Sequence, residues 1–322
     1  MKVTISANSR VHLGLIDGSI SGTRRRWGGI GLALGSPSAT MTATRARRFE
    51  VLGPVADKPE IYAMLRHASS EHGLPPARIE FSHAIPQHRG LGSGTAHRLA
   101  TVEAYLTTFG VEVDLSELAR LASRGGTSGI GVNTYIGGGL LVDAGHPRST
   151  GTQAFLPSSA SSASSPPPVV FRGMLPAHWA ILHIDHPNAV GLSGDEERSF
   201  FDAHLPTDDA QAMDALALVY HAVLPALLEG DLHGLASGLA DFQTLGLKAA
   251  EREVVDRSVA ETCRRLESIG VAHGLSSFGP SCIAIVSSSD AYSVADAVRS
   301  GRGSEVTVDR VPLGTGREVR VE

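Results

Sequence analysis

The chain has 322 residues, long for one compact domain and comfortable for two, and its 42% hydrophobic against 19% charged residues can bury a sizeable core. A balance of 28 basic to 33 acidic residues gives a net charge of -5, which excludes a nucleic-acid coat or a polybasic membrane anchor. The two cysteines, Cys263 and Cys282, exclude a disulfide scaffold and a Cys-rich zinc site. No apolar run reads as a membrane span and the amino terminus lacks a signal-peptide core, so a soluble, cytoplasmic protein is expected.

In chain order, Val3 to Ser9 alternates as a strand does. Gly28 to Leu34 reads as a glycine-broken turn entering a short strand, and Ser38 to Thr44 as another. Lys58 to His72 has helical spacing and Ile79 to Ile85 that of a strand. Arg89 to Thr95 is glycine-rich and opens a helix reaching about Phe109. Asp114 caps a short helix to Ala122, with Glu117 placed to complete a capping box. Pro157 to Pro168 consists of Ser, Ala and Pro alone, cannot build a core, and predicts a linker. Beyond it come a strand at Trp179 to Ile184 and helical patterns at Asp208 to Leu228, Leu232 to Leu245 and Glu251 to Ile269. Met213, Leu216, Val219 and Leu227 are expected to be core. A loop at His273 to Pro280 leads to a strand (Ser281 to Val286), a helix through Val298, and a last strand, Glu305 to Val311. Mixed elements on both sides of the linker predict an α+β protein in two domains, 1–156 and 169–322.

Gly90-Leu91-Gly92-Ser93-Gly94-Thr95 lies between a strand and a helix. Backbone amides freed of side chains at a helix start form a cradle for phosphate oxygens, on the positive end of the helix dipole. The P-loop Lys-Ser/Thr ending and the Gly-x-Gly-x-x-Gly spacing are both missing, and a plain glycine turn would look similar.

The segment from Pro86 to Thr95 resembles the phosphate motif of the GHMP kinase superfamily. Further stretches narrow the likeness: Ser9 to Asp17, Trp27 to Ala33, Arg124 to Gly131 with Asp143 to His146, and Ser276 to Pro280. Together they resemble the β-ribofuranosylaminobenzene 5′-phosphate synthase family across nearly the whole chain. The resemblance implies a GHMP kinase-like α+β fold with a ferredoxin-like carboxy-terminal domain. It implies a 5-phosphoribosyl 1-pyrophosphate (PRPP) donor with Mg²⁺, and an aromatic amino acid acceptor whose carboxylate leaves as CO₂. It also makes a homodimer the expected assembly. GHMP kinases commonly carry an aspartate at the position of Gly131, where it serves the attacking hydroxyl. Glycine there suits a diphosphate that leaves over one that donates phosphate.

Within that likeness, Arg89, Gly90, Gly92, Ser93, Gly94, Thr95, Arg124, Gly125, Gly126, Ser277 and Gly279 are candidates for the donor. Arg10, His12 and Arg98 are candidates for the acceptor. Thr127, Ser128, Thr134 and Asp17 are candidates for catalysis, with Asp17 and Asp143 as metal ligands. Plainer readings stand beside them: Asp17 as a turn cap, His12 as a strand histidine, the Arg24 to Arg26 run as a solvated loop, and Asp195-Glu196-Glu197 as acids complementing a helix dipole. Methanopterin-pathway synthases have Gln after the Gly-Ser-Gly-Thr run, where this chain has Ala96, His97 and Arg98. That departure, with an Arg-for-Lys skew (three lysines) typical of GC-rich genes, favours an aminopyrazole dicarboxylate acceptor in C-nucleoside antibiotic synthesis. The alternatives are 4-aminobenzoate as acceptor, an ATP-dependent small-molecule kinase, or a non-catalytic phosphate-ligand sensor.

Overall fold

Strand β1 (Lys2–Leu15) sets the frame, because its alternation buries Val3, Ile5, Ala7, Val11 and Leu13 on one face. The computed structural model describes residues 1–16, 24–148, 165–192, 194–301 and 305–322. A two-residue strand, β2 (Arg25–Arg26), precedes β3 (Gly29–Arg45), which pairs antiparallel with β1 along most of its length. The two strands expected at 28–34 and 38–44 are thus one. Its far half pairs with β5 (Ala77–His83), which takes β4 (Glu50–Leu52) as a parallel neighbour. Its near half, Gly29 to Leu32, pairs instead with β6 (Leu140–Asp143). Helices α1 (Lys58–His72), α2 (Ser93–Thr108), α3 (Leu115–Leu121) and α4 (Ile130–Gly137) belong to this layer. Asp114 caps α3 by accepting the Glu117 N–H at 2.8 Å, while the Glu117 carboxylate pairs with Arg120 and does not close the box.

After β7 (His146–Pro147), residues 149–164 lie outside the described ones, and with them most of the expected linker. Its end is packed: the Asn133 amide donates to the Pro167 carbonyl and Ala144 N–H to that of Pro168. The expected division at 169 moves accordingly. β8 (Val169–Gly173) pairs with β6, and the last strand, β13 (Glu318–Val321), returns to pair with β1. Both segments complete the first sheet.

The second sheet comprises β9 (Trp179–Asp185), β10 (Ala272–Leu275), β11 (Cys282–Ser287) and β12 (Thr307–Val311), in the order β10-β11-β9-β12, all antiparallel. That is the ferredoxin-like order. Alternation along β9 sends Leu182 and Ile184 towards α10 (Arg257–Ser268) and α11 (Ala291–Arg299). Trp179 and Ile181 turn to the other face, into the core shared with the first sheet. There they meet the cluster containing α6 (Asp209–Leu218), a π-helical turn (Val219–Val223), α7 (Leu224–Glu229) and α8 (Leu232–Phe242). The protein is therefore an α+β, two-domain molecule.

The helix expected over 251–269 is two, α9 (Gly246–Val254) and α10, broken at Val255 and Asp256, where Asp256 caps the second. Val219 and Leu227 are core as expected, whereas Met213 and Leu216 are 49% and 42% exposed. The run Asp209–Glu229 is long and apolar enough by composition to cross a bilayer, contrary to the first reading. Its buried side chains, among them Val219, Val223 and Leu227, pack into the protein core. Helix α5 (Asp195–His204) remains, and it bears on the site.

Candidate active site

Two adjoining cavities meet where the domains face each other. The larger, about 550 Å³, is lined by Gly90 to Thr95, Arg10, Arg98, Arg124, Glu197, Ser277 and Gly279, with Asp57 and Glu60 from the start of α1. The smaller is lined by Arg10, His12, Leu15, Thr95, Thr127, Ser128, Gly131, Glu197, Phe201, Glu251 and Ser277. They share Arg10, Thr95, Glu197 and Ser277. A ligand in one would touch a ligand in the other across these four residues.

The glycine loop ends in a left-handed residue, Gly92, at φ 71°, from which α2 starts. A Cβ there would stand 2.8 Å from Arg10 Cγ, so glycine serves both backbone and space. Gly90, at φ 76°, meets Gly279 so closely that a Cβ on Gly279 would lie 2.4 Å from Gly90 Cα. This backbone seam joins the domains. Ser276 Oγ and Arg10 Nη1 (2.6 Å) both donate to the Gly90 carbonyl. The amide end of α2 thus faces the larger cavity beside three arginines. Burial, with Arg98 and Arg10 nearby, lowers the Arg124 pKa to about 10. Burial lowers that of Arg10 to about 10 as well, opposed by Glu197. Positive charge so confined calls for an anion.

The smaller cavity is different. Phe201 and Leu15 give it an apolar wall, continuous with Trp27, Phe200 and Phe278. Its hydroxyl-bearing residues are Thr95, Thr127, Ser128 and Ser277, with Ser128 Oγ 3.0 Å from His12 Nε2. Burial, with Arg10 and Lys248 nearby, lowers the His12 pKa to about 3, so the ring is neutral at ordinary pH. Gly131 faces Thr95: a Cβ would come within 3.1 Å of its Cγ2. A kinase-type aspartate there would occupy the cavity itself.

Several expected residues stand elsewhere. Arg89 does not line the cleft; it forms an ion pair with Asp185 at 2.6 Å and donates to the carbonyls of His186 and Ala189, tying the loop to the second domain. Thr134 is buried and donates its hydroxyl to the Ile130 carbonyl at 2.6 Å within α4. Gly125 and Gly126 shape the turn before Thr127 without lining either cavity. Arg98, expected at the acceptor, lines the larger cavity and not the smaller. Asp143 is 1% exposed and reaches neither cavity. Its Oδ1 accepts the Gly145 N–H at 2.8 Å, and burial raises its pKa to about 7 against the pull of the Gly145, Gly129 and Gly29 amides. Asp143 thus braces the loop from behind and lines neither cavity. Asp17 lies outside the described residues. Ala96 and His97 are buried in α2, where His97 Nε2 accepts the Ile85 N–H. The sequence departure at these two positions therefore faces away from the smaller cavity.

Three further acids complete the site, of which the sequence pointed only to Glu197, as one acid of a helix start. Glu197 shares both cavities, Glu251 lines the smaller, and Asp57 the larger. Asp57 stands at the amino end of α1 without capping it, and its buried Oδ1 has no hydrogen-bond partner, His97 Nδ1 being 3.7 Å away. For Asp57 the signal would have been an aspartate just ahead of a helix start. For Glu197 it would have been the third acid of a helix start, one position deeper than the dipole requires.

The family models of the GHMP kinases N-terminal and C-terminal domains match residues 59–139 and 223–302. A β-ribofuranosylphenol 5′-phosphate synthase of Methanothermobacter thermautotrophicus is 34% identical over 303 residues, covering 88% of this chain and 89% of its own. The protein of that name from Archaeoglobus fulgidus is 34% identical over 282 residues, covering 87% and 86%. Among solved structures, homoserine kinase from Cytophaga hutchinsonii superposes with a TM-score of 0.68 at 18% identity, covering 99% of this chain and 97% of that one. That last likeness speaks for the fold alone.

Proposed function

Because the chain belongs to the β-ribofuranosylphenol 5′-phosphate synthase family within the GHMP kinase superfamily, we propose that it joins the ribosyl group of PRPP to a ring carbon of an aromatic acid, releasing pyrophosphate and CO₂. The observation that carries this reading is the pair of cavities sharing Arg10, Thr95, Glu197 and Ser277, one lined by the glycine loop and arginines and one with an aromatic wall. A synthase whose product is a ribosyl 5′-phosphate on a phenol needs an activated ribose phosphate and an arene, side by side.

The pyrophosphate lies on the amides of Gly92 to Thr95, with Arg124 and Arg98 taking its charge. These donors are strongest where negative charge grows, on the leaving oxygen. Mg²⁺, when bound, would neutralise further charge on the departing pyrophosphate. Asp57 lines the larger cavity with Ser93, and its carboxylate and the Ser93 hydroxyl would hold that ion.

The ring lies against Phe201 and Leu15, and its departing carboxylate faces Thr127 and Ser128. Hydroxyls are weak enough partners to let CO₂ go, since a bidentate arginine would stabilise the ground state. The carboxylates of Glu197 and Glu251 on the same wall disfavour an acceptor with a second carboxylate. Ala96 and His97 are turned away, and Arg10, the one arginine lining this pocket among the described residues, faces those two acids there. We therefore infer a benzoate with a para hydroxyl or amino group, 4-hydroxybenzoate or 4-aminobenzoate.

Incubation with PRPP, Mg²⁺ and each acceptor singly, read by mass spectrometry, tests the assignment. A decarboxylated C-riboside phosphate is expected from the benzoates. Faster reaction with 4-aminopyrazole-3,5-dicarboxylate than with either benzoate would overturn the acceptor assignment.

A further inference from the structure

We propose that Glu197 is the catalytic residue that takes a proton from the para hydroxyl or amino group of the ring as the new bond forms, and returns it as CO₂ leaves. The inference rests on the C-ribosyl reading above.

The chemistry demands such a group. When the ring carbon bearing the carboxylate bonds to the anomeric carbon, the C–O bond to pyrophosphate breaks and pyrophosphate leaves with its electron pair. The ring has then given two electrons, and positive charge collects on the para heteroatom, whose proton becomes acidic. Transfer of that proton to a carboxylate leaves a neutral dienone or imine. The C–CO₂ bond then breaks, its electron pair restores the aromatic ring, and the heteroatom takes its proton back. The carboxylate ends as it began, and no oxidant or further reactant is needed.

Glu197 is placed for this role. Asp195 and Glu196 are exposed, whereas Glu197, half-buried, turns into both cavities from the first turn of α5. Arg10 on β1 and Glu251 on α9 are the charged groups lining the smaller cavity with it, and His12 beside them is neutral. Glu251 is held by Lys248 at 2.8 Å, and that lysine also donates to the Leu275 carbonyl, so its partner's charge is engaged. Among the described residues, no lysine or arginine forms an ion pair with Glu197 in the same way. Burial raises its pKa to about 7, with Arg10 opposing and Glu251 adding to the shift. A carboxyl group so poised both accepts and returns a proton near neutral pH.

The test compares wild type with Glu197→Gln and Glu197→Asp, using 4-hydroxybenzoate, PRPP and Mg²⁺. For Glu197→Gln, kcat should fall by about 10²–10⁴-fold, the usual range for a positioned proton carrier. PRPP affinity by calorimetry should stay within about threefold. The acid limb of the wild-type rate profile, rising through about pH 7, should vanish in Glu197→Gln and partly return in Glu197→Asp. Retention of that limb in Glu197→Gln, or a loss of PRPP affinity as large as the loss in kcat, would overturn the role. Absence of product from wild type with every acceptor would instead sink the C-ribosyl reading itself.

Discussion

Arg124 carries its charge into a wall that solvent scarcely reaches, at the edge of a loop whose glycines leave the backbone bare. Removing it should strip a charged partner from the donor: Arg124→Ala is expected to weaken PRPP binding about 10–100-fold, since hydrogen bonds to charged groups contribute about 1.5–3 kcal/mol. Calorimetry with the folded variant checks this. Gly92→Ala acts through the backbone, since φ 71° is strained for an L-residue and the new methyl meets Arg10. About tenfold weaker PRPP binding is expected, with the circular dichroism spectrum unchanged. Asp143 makes a pH prediction. Its folded pKa, about 7, lies above the ordinary 3.8, so the protein binds this proton more tightly than the unfolded chain does. The stability it gives is complete below about pH 4 and is lost as pH rises through about 7. Thermal melts from pH 4 to 8 should show this loss in wild type and a flatter profile in Asp143→Asn.

At the scale of elements, the interest lies in how the glycine loop is held. Arg89 sits beside the cradle in sequence, yet its guanidinium points away, to Asp185 at the end of β9 and to the carbonyls after it. Arg89→Ala should therefore cost about 2 kcal/mol of stability in denaturant titrations while leaving the donor KM within about twofold. The opposite result, a large rise in KM at unchanged stability, would return Arg89 to the donor site. Helix α4 supplies a complementary device. Its Gly131 leaves room beside Thr95 that any side chain would fill.

Over the whole molecule, local signals were legible and long-range ones were not. The cradle could be read because glycine spacing and a helix start are features of adjacent residues. The ferredoxin-like domain followed from a family likeness that its strand order bears out. The return of β8 and β13 to the first sheet could not be read, because nothing in a short strand names its partner. Asp57 was hidden for the same reason, and Glu197 was legible only as one acid of a helix start. Each looks like an ordinary acid at a helix start until packing sets it on a cavity wall. Thr134 and Arg89 erred in the other sense: they stand near site residues in sequence, and folding gives their polar atoms to the protein's own backbone and to Asp185.

The central claim is that the cradle holds a leaving group and the neighbouring cavity an arene that loses its carboxylate. Its most direct test supplies carboxyl-labelled 4-hydroxybenzoate with PRPP and Mg²⁺, and counts labelled CO₂ against pyrophosphate. The two should appear together, one for one, and neither should form without the other substrate. Pyrophosphate released with the label still on the ring would contradict the account.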